Sequence, residues 1–295
     1  MRKELVCPAL AVVLGGVGFG LRRWELATAF EPSGLVTPGM PATIALAVLS
    51  VAAAALFLLL SLGKHGDFPG GYGQAFAAGG NALYMGGMVL SAFLLLGAAG
   101  LKLASLPALF REAVYKAAEG QGGNPVLSMF LPVILAVLSA VTAMCVLSAG
   151  QKCYRGLPME KYSFQVLTPA YLLCLWLIDA YQSRAADPVL QDYIYELLAI
   201  ICALLAVYYM ASFSFEKPKT ARTICFSLLA VYFGLTTLAD GHDWPTMALY
   251  GFAIIYLLTN VTVLLYQDGR PCPPIPSPEA GAETEEHETE GNPNE

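Results

Sequence analysis

Charge is the scarcest property of this sequence: only 13% of its 295 residues are Asp, Glu, Lys or Arg, against 57% hydrophobic residues. Soluble domains carry roughly 25% charged residues, so an ordinary soluble fold is excluded. Clustered positive charge is missing as well. Residues 267–295 hold eight acids and one base, and the remaining 266 residues balance fifteen bases against fourteen acids. Nucleic-acid binding, which needs a concentrated basic footprint, is thereby excluded.

Histidine is nearly absent, with three residues in the chain. His65 and His242 fall in connections and His287 in the C-terminal tail, so spanning helices supply no His-Glu-x-x-His pair for a metal. The seven cysteines never form Cys-x-x-Cys, and Cys145 and Cys153 are too far apart along the chain to make a strong metal pair. No Gly-x-Ser-x-Gly nucleophile turn and no Gly-Lys-Ser/Thr phosphate loop occurs. No catalytic motif, metal site or cofactor is therefore expected. No aqueous stretch is long enough to bury a core of its own.

What the sequence has in abundance is long apolar runs. About 20 apolar residues cross a hydrocarbon core of about 30 Å, and eight segments reach that length: about 5–21, 41–62, 82–104, 126–148, 164–183, 193–214, 222–240 and 246–266. Pro41, Pro125, Pro188 and Pro245 stand at the starts of the even-numbered spans, where a helix tolerates a missing N–H. Asn124 and Asp187 precede two of them as N-caps. The expectation is an all-α, polytopic transmembrane helical bundle of eight spans in four hairpins over residues 1–266, with a disordered Pro-rich and acidic tail over 267–295. The basic N-terminal residues before the first run imitate a signal peptide, but no small-x-small cleavage site follows and the run reads as an uncleaved helix.

Basic residues set the orientation. With the N-terminus in the cytosol, inner segments hold ten (Arg2, Lys3, Lys64, Lys152, Arg155, Lys161, Lys217, Lys219, Arg222, Arg270) and outer segments six (Arg22, Arg23, Lys102, Arg111, Lys116, Arg184). No outer connection contains cysteine, the pattern of free thiols facing a reducing compartment. Both termini are expected to be cytosolic. The outer connection 105–124 has apolar residues at helical spacing and reads either as an interfacial helix or as an extension of the third span. The inner connection 63–81 is rich in glycine and reads as a flexible loop.

Ionisable groups at membrane depth are costly and mark sites. Asp179, Glu196 and Asp240 lie toward the outer ends of their spans and form a candidate cation or proton site. Trp176, one turn before Asp179, and Asn260, in the last span, are candidate cavity-lining residues. The competing reading makes the carboxylates interfacial groups in water, Trp176 a packing residue and Asn260 an interhelical hydrogen-bonding group. Gly16-x-x-x-Gly20 and Gly87-x-x-x-Ser91 are read as surfaces of close helix approach.

The segment Leu21-Arg22-Arg23-Trp24-Glu25-Leu26-Ala27-Thr28-Ala29-Phe30-Glu31-Pro32, with Gly34-Leu35 and Pro38-Gly39-x-Pro41-Ala42-Thr43, resembles uncharacterised polytopic membrane proteins of anaerobic Gram-positive bacteria. The resemblance implies bacterial origin and a place in the cytoplasmic (inner) membrane, and brings no activity with it. Function is expected in the membrane interior, as a small-solute or ion transporter or its membrane subunit; the alternative is a non-transporting sensor, scaffold or assembly partner. With no ATP-binding motif, active transport would draw on an ion gradient or a separate ATPase chain. The bilayer is the expected partner, while a homo-oligomer or a membrane or cytosolic partner protein is left open.

Overall fold

A computed structural model describes residues 3–31, 35–63, 65–119, 124–157, 164–184, 193–215 and 217–270. Among these, eight helices are long and apolar enough to cross a membrane, and the chain is an all-α multi-pass bundle. They are α1 (Lys3–Thr28), α2 (Pro41–Ser61), α4 (Ala82–Ala118), α5 (Pro125–Arg155), α6 (Phe164–Arg184), α7 (Ile194–Ala211), α8 (Thr220–Thr237) and α9 (Trp244–Asp268). A short helix, α3 (Gly71–Ala75), lies between α2 and α4.

The start signals act as their chemistry requires. Pro41, Pro125 and Pro245 occupy first-turn positions, and the Asn124 side chain accepts the Val126 N–H at 3.0 Å. Asn81 caps α4 the same way, accepting from Leu83 N–H at 3.0 Å. Pro188, Asp187 and residues 271–295 of the tail lie outside the described residues, while Gln267 and Asp268, expected to begin the tail, belong to α9.

Burial sorts the helices. In α8, 78% of the apolar stretch is buried inside the protein, against 22% in α2 and 28% in α1 and α4, so α8 is the internal helix and the others present lipid-facing sides. It packs on α1, α2, α7 and α9, while α4 through α9 close a ring by neighbour contacts and by α4 against α9. The bundle thus has a near end, where α1 begins, and a far end, where α1, α4, α6 and α8 run outward.

Close approach is made by small residues, at positions only partly foreseen. A Cβ at Gly15 would lie 2.7 Å from Leu235 Cδ1, and one at Gly18 would collide with Thr236 Oγ1; Gly16 and Gly20, the expected motif, have nothing near them. The reason is the face of α1 that meets α8: Cys7, Ala11, Gly15, Gly18, Arg22, Glu25 and Ala29 are all buried, a stripe at spacings of three and four. Gly87 does pack closely, against Thr259, and Gly150 packs on Met88.

One connection differs from expectation, and another follows one of its two expected readings. The glycine-rich inner connection contains α3, whose Tyr72 and Ala75 are buried; Phe68 and Phe76 pack against Phe213 at 5.8 and 5.5 Å between ring centroids, and this burial stabilises a helix the local composition disfavours. Residues 105–118 continue α4 without a break through Pro107, the extension rather than the separate interfacial helix. Lys102 lies about 30 Å from the start of α4 at 1.5 Å per residue, so α4 runs well past one hydrocarbon thickness.

Candidate functional site at the far end of the bundle

Sequence reading ended the first span near residue 21 and placed Arg22 in an outer connection. The structure corrects this: α1 continues to Thr28, and Arg22 is 2% exposed. Its guanidinium is tolerated there because two carboxylates and two aromatic rings surround it. Nε donates to Asp240 Oδ1 at 2.7 Å, Nη1 donates to Glu25 Oε2 at 2.7 Å, and the charge faces the rings of Phe30 and Tyr195 at 5.6 and 5.2 Å. A buried cation without such partners would cost several kcal/mol.

Each partner is positioned by its own element. Glu25 is one turn beyond Arg22 on the same face of α1. Phe30 is fixed by an isolated bridge to Val36, with Thr37 N–H donating to Ala29 O at 2.8 Å. Asp240 follows the end of α8, where its second oxygen accepts from Thr237 Oγ1 at 2.9 Å. His242 donates from Nε2 to the Thr237 carbonyl at 2.9 Å, which fixes the protonated nitrogen. The His242 ring lies 5.1 Å from that of Tyr250, and Tyr250 meets Trp176 edge-on at 4.7 Å. A connected polar and aromatic layer therefore runs from α1 through the α8–α9 connection to α6.

The three expected carboxylates share this end, and Asp240 and Asp179 have different partners there. Asp240 belongs to the Arg22 cluster. Asp179 is held by Lys102 of α4, which donates from Nζ to Oδ2 at 2.6 Å, with side-chain exposures of 14% and 24%. Glu196 is 5% exposed in the first turn of α7, where a carboxylate suits the helix dipole, and is adjacent to Tyr195. Trp176 is buried and packs on Tyr250. Asn260 lies elsewhere, fully buried, donating to Tyr256 O at 2.8 Å and touching Met88 Sδ at 3.7 Å. Neither Trp176 nor Asn260 lines either of two cavities that lie toward the near end among the described residues. The Arg184 side chain lies outside the described residues.

Arg22 and Glu25 are the site residues the sequence reading missed. The available signal was their register, since they continue the small-residue stripe of α1 and so must face α8. No group of three or more His, Cys, Asp or Glu suited to a metal occurs among the described residues.

Exposed aromatics mark the level of this layer. Trp24, Tyr181 and Trp244 are 46%, 57% and 75% exposed and stand at the far ends of α1, α6 and α9, as interfacial aromatics do. The Arg22 cluster and the Lys102–Asp179 pair therefore lie at the end of the bundle that carries these aromatics. The chain matches no protein-family model, no curated protein and no solved structure at a significant level.

Proposed function

We propose that this multi-pass membrane protein is a cation- or proton-coupled carrier of a small solute, or the membrane subunit of one, in a bacterial cytoplasmic membrane with both termini in the cytosol. The observation that carries the reading is the ion network around the buried Arg22, whose guanidinium binds two carboxylates from different parts of the chain, a formal excess of one acid within that trio. A proton or a monovalent cation arriving from the far side neutralises that excess and weakens the Arg22–Asp240 link between α1 and the α8 terminus. Such a link is a natural switch, because a small change in charge alters a strong, poorly screened interaction. Asp179 with Lys102 forms a second interhelical link in the same layer, between α4 and α6.

The test is purified protein in liposomes loaded with a pH-reporting dye, with sodium, potassium or proton gradients imposed in turn. Gradient-driven flux that Asp240→Asn abolishes supports the carrier. The same network read as a static clamp favours the scaffold alternative, since both pairs are already formed. No flux under any gradient, together with a melting temperature indifferent to cations and pH, leaves the scaffold.

A further inference from the structure

The larger cavity lies at the opposite end from the charged layer. It measures about 640 Å³ and is walled by α1, the start of α4 and the end of α9, with Ala77, Ala78, Gly79 and Gly80 forming one rim. That volume is within the range of roughly 300–1,000 Å³ typical of small-molecule sites. Helices α1 and α4 both pack on α9 rather than on one another, so the cavity is a lateral cleft between them with α9 as its floor.

Its chemistry is graded along the bundle axis. At the near end stand Glu4, in the first turn of α1, and Asn81, the cap of α4. One step deeper the lips are Leu5 and Leu83, 58% and 87% exposed, which makes them lipid-facing side chains in a spanning bundle. The deeper wall is Leu258, Thr259, Thr262 and Val263 of α9, where the Thr262 hydroxyl donates to Leu258 O at 2.7 Å. Tyr266 closes the cleft near its mouth, and the guanidinium of Arg270 lies 3.9 Å from the Tyr266 ring centre and donates to its hydroxyl. Glu4 forms no ion pair among the described residues.

We propose that this cleft binds one phospholipid of the surrounding bilayer, with an amine-bearing zwitterionic headgroup: an acyl chain between Leu5 and Leu83, the ammonium at Glu4, and the phosphate at Arg270. Glu4 lines the cleft and Arg270 stands beside it on the ring of the lining residue Tyr266, so a carboxylate and a guanidinium match a headgroup carrying both signs. An apolar cleft open sideways admits a chain from the membrane without crossing water. A headgroup with net negative charge satisfies Arg270 but meets repulsion from Glu4. The positive-φ residues Gly79 and Gly80 have open space beside them, leaving room at the rim for a headgroup. This inference does not depend on the carrier reading, because lipid binding is measured without flux.

The experiment titrates the purified full-length protein in detergent with phosphatidylethanolamine or phosphatidylglycerol of identical acyl chains, counting bound lipids by native mass spectrometry. The first phosphatidylethanolamine should bind about three- to fivefold more tightly than phosphatidylglycerol, the size of one partly exposed ion pair. Glu4→Gln should remove that preference and Glu4→Asp should keep it. Arg270→Gln should weaken both lipids, and Thr262→Trp, which fills the cleft, should lower the first binding of either. Melting temperatures measured without added lipid verify that each variant is folded. Equal affinity for the two lipids in the wild type, a preference that survives Glu4→Gln, or a first binding untouched by Thr262→Trp would overturn the assignment.

Discussion

At the scale of single residues, Arg22 shows how a spanning helix holds a charge. Two charge-assisted hydrogen bonds and two aromatic faces replace its hydration, and the arrangement is stable only while all partners are present. Removing one side strands the other. Asp240→Asn should therefore destabilise the protein by about 1–3 kcal/mol and Arg22→Met by about 3–5 kcal/mol, the latter leaving Glu25 and Asp240 buried without their cation; detergent melting curves of both variants check the order. The Lys102–Asp179 pair gives a second test, because it is only partly buried. Lys102→Met and Asp179→Asn should each lower the melting temperature slightly, and the double variant should lose less than the sum, as expected for two groups whose interaction is removed once. Strict additivity would mean that the pair contributes nothing.

At the scale of elements, α1 is organised by a stripe of small residues that meets α8. Gly15 and Gly18 permit the approach, since a side chain at either would strike Leu235 or Thr236, while the neighbouring Gly16 and Gly20 face open space. Gly18→Leu should push α1 from α8, weaken the Arg22–Asp240 link one turn further on, and reduce stability by more than 2 kcal/mol through overpacking, as a rough expectation. Gly16→Leu should be neutral or slightly stabilising, because glycine inside a helix costs about 1 kcal/mol relative to better helix formers. Thermal unfolding of the two variants side by side is decisive, and equal effects would contradict the packing described. The same element-level logic explains α3: five residues around Gly71 form a helix because Tyr72, Ala75 and Phe76 are buried, not because glycine favours it.

At the scale of the whole molecule, the alternation of the helices brings the α1, α4, α6 and α8 termini together and thereby assembles the charged layer. The proposed orientation puts that layer on the outer side. In a cysteine-free background, a cysteine at Asp243 should react with an impermeant maleimide on intact cells, and one at Lys217 only after lysis; labelling of Lys217 from outside would invert the topology. Residues beyond Arg270 are rich in proline and glutamate and offer almost no apolar surface to bury. Truncation after Arg270 should accordingly leave membrane insertion and the detergent melting temperature nearly unchanged, and a marked loss of thermal stability would mean that the tail docks on the bundle.

Length and hydropathy alone determined the class and the number of spanning helices, because each such helix satisfies its own backbone hydrogen bonds and needs only enough apolar residues to cross. Prolines and caps fixed where several helices begin for the same local reason. That Asp179, Glu196 and Asp240 stand at the same end of the bundle was legible as well, since the alternation of helices assigns each of them to that end. Their partners were not. Arg22 and Asp240 are 218 residues apart, Lys102 and Asp179 are 77 apart, and nothing local relates them. Arg22 followed an apolar run and carried a charge, so hydropathy ended the helix before it, whereas the fold continues it because a partner on another segment makes its burial tolerable. Which of two glycine pairs packs, which aromatic covers a cation and which base neutralises which acid are decided by the faces that the helices turn to one another, and those exist only once the bundle has closed.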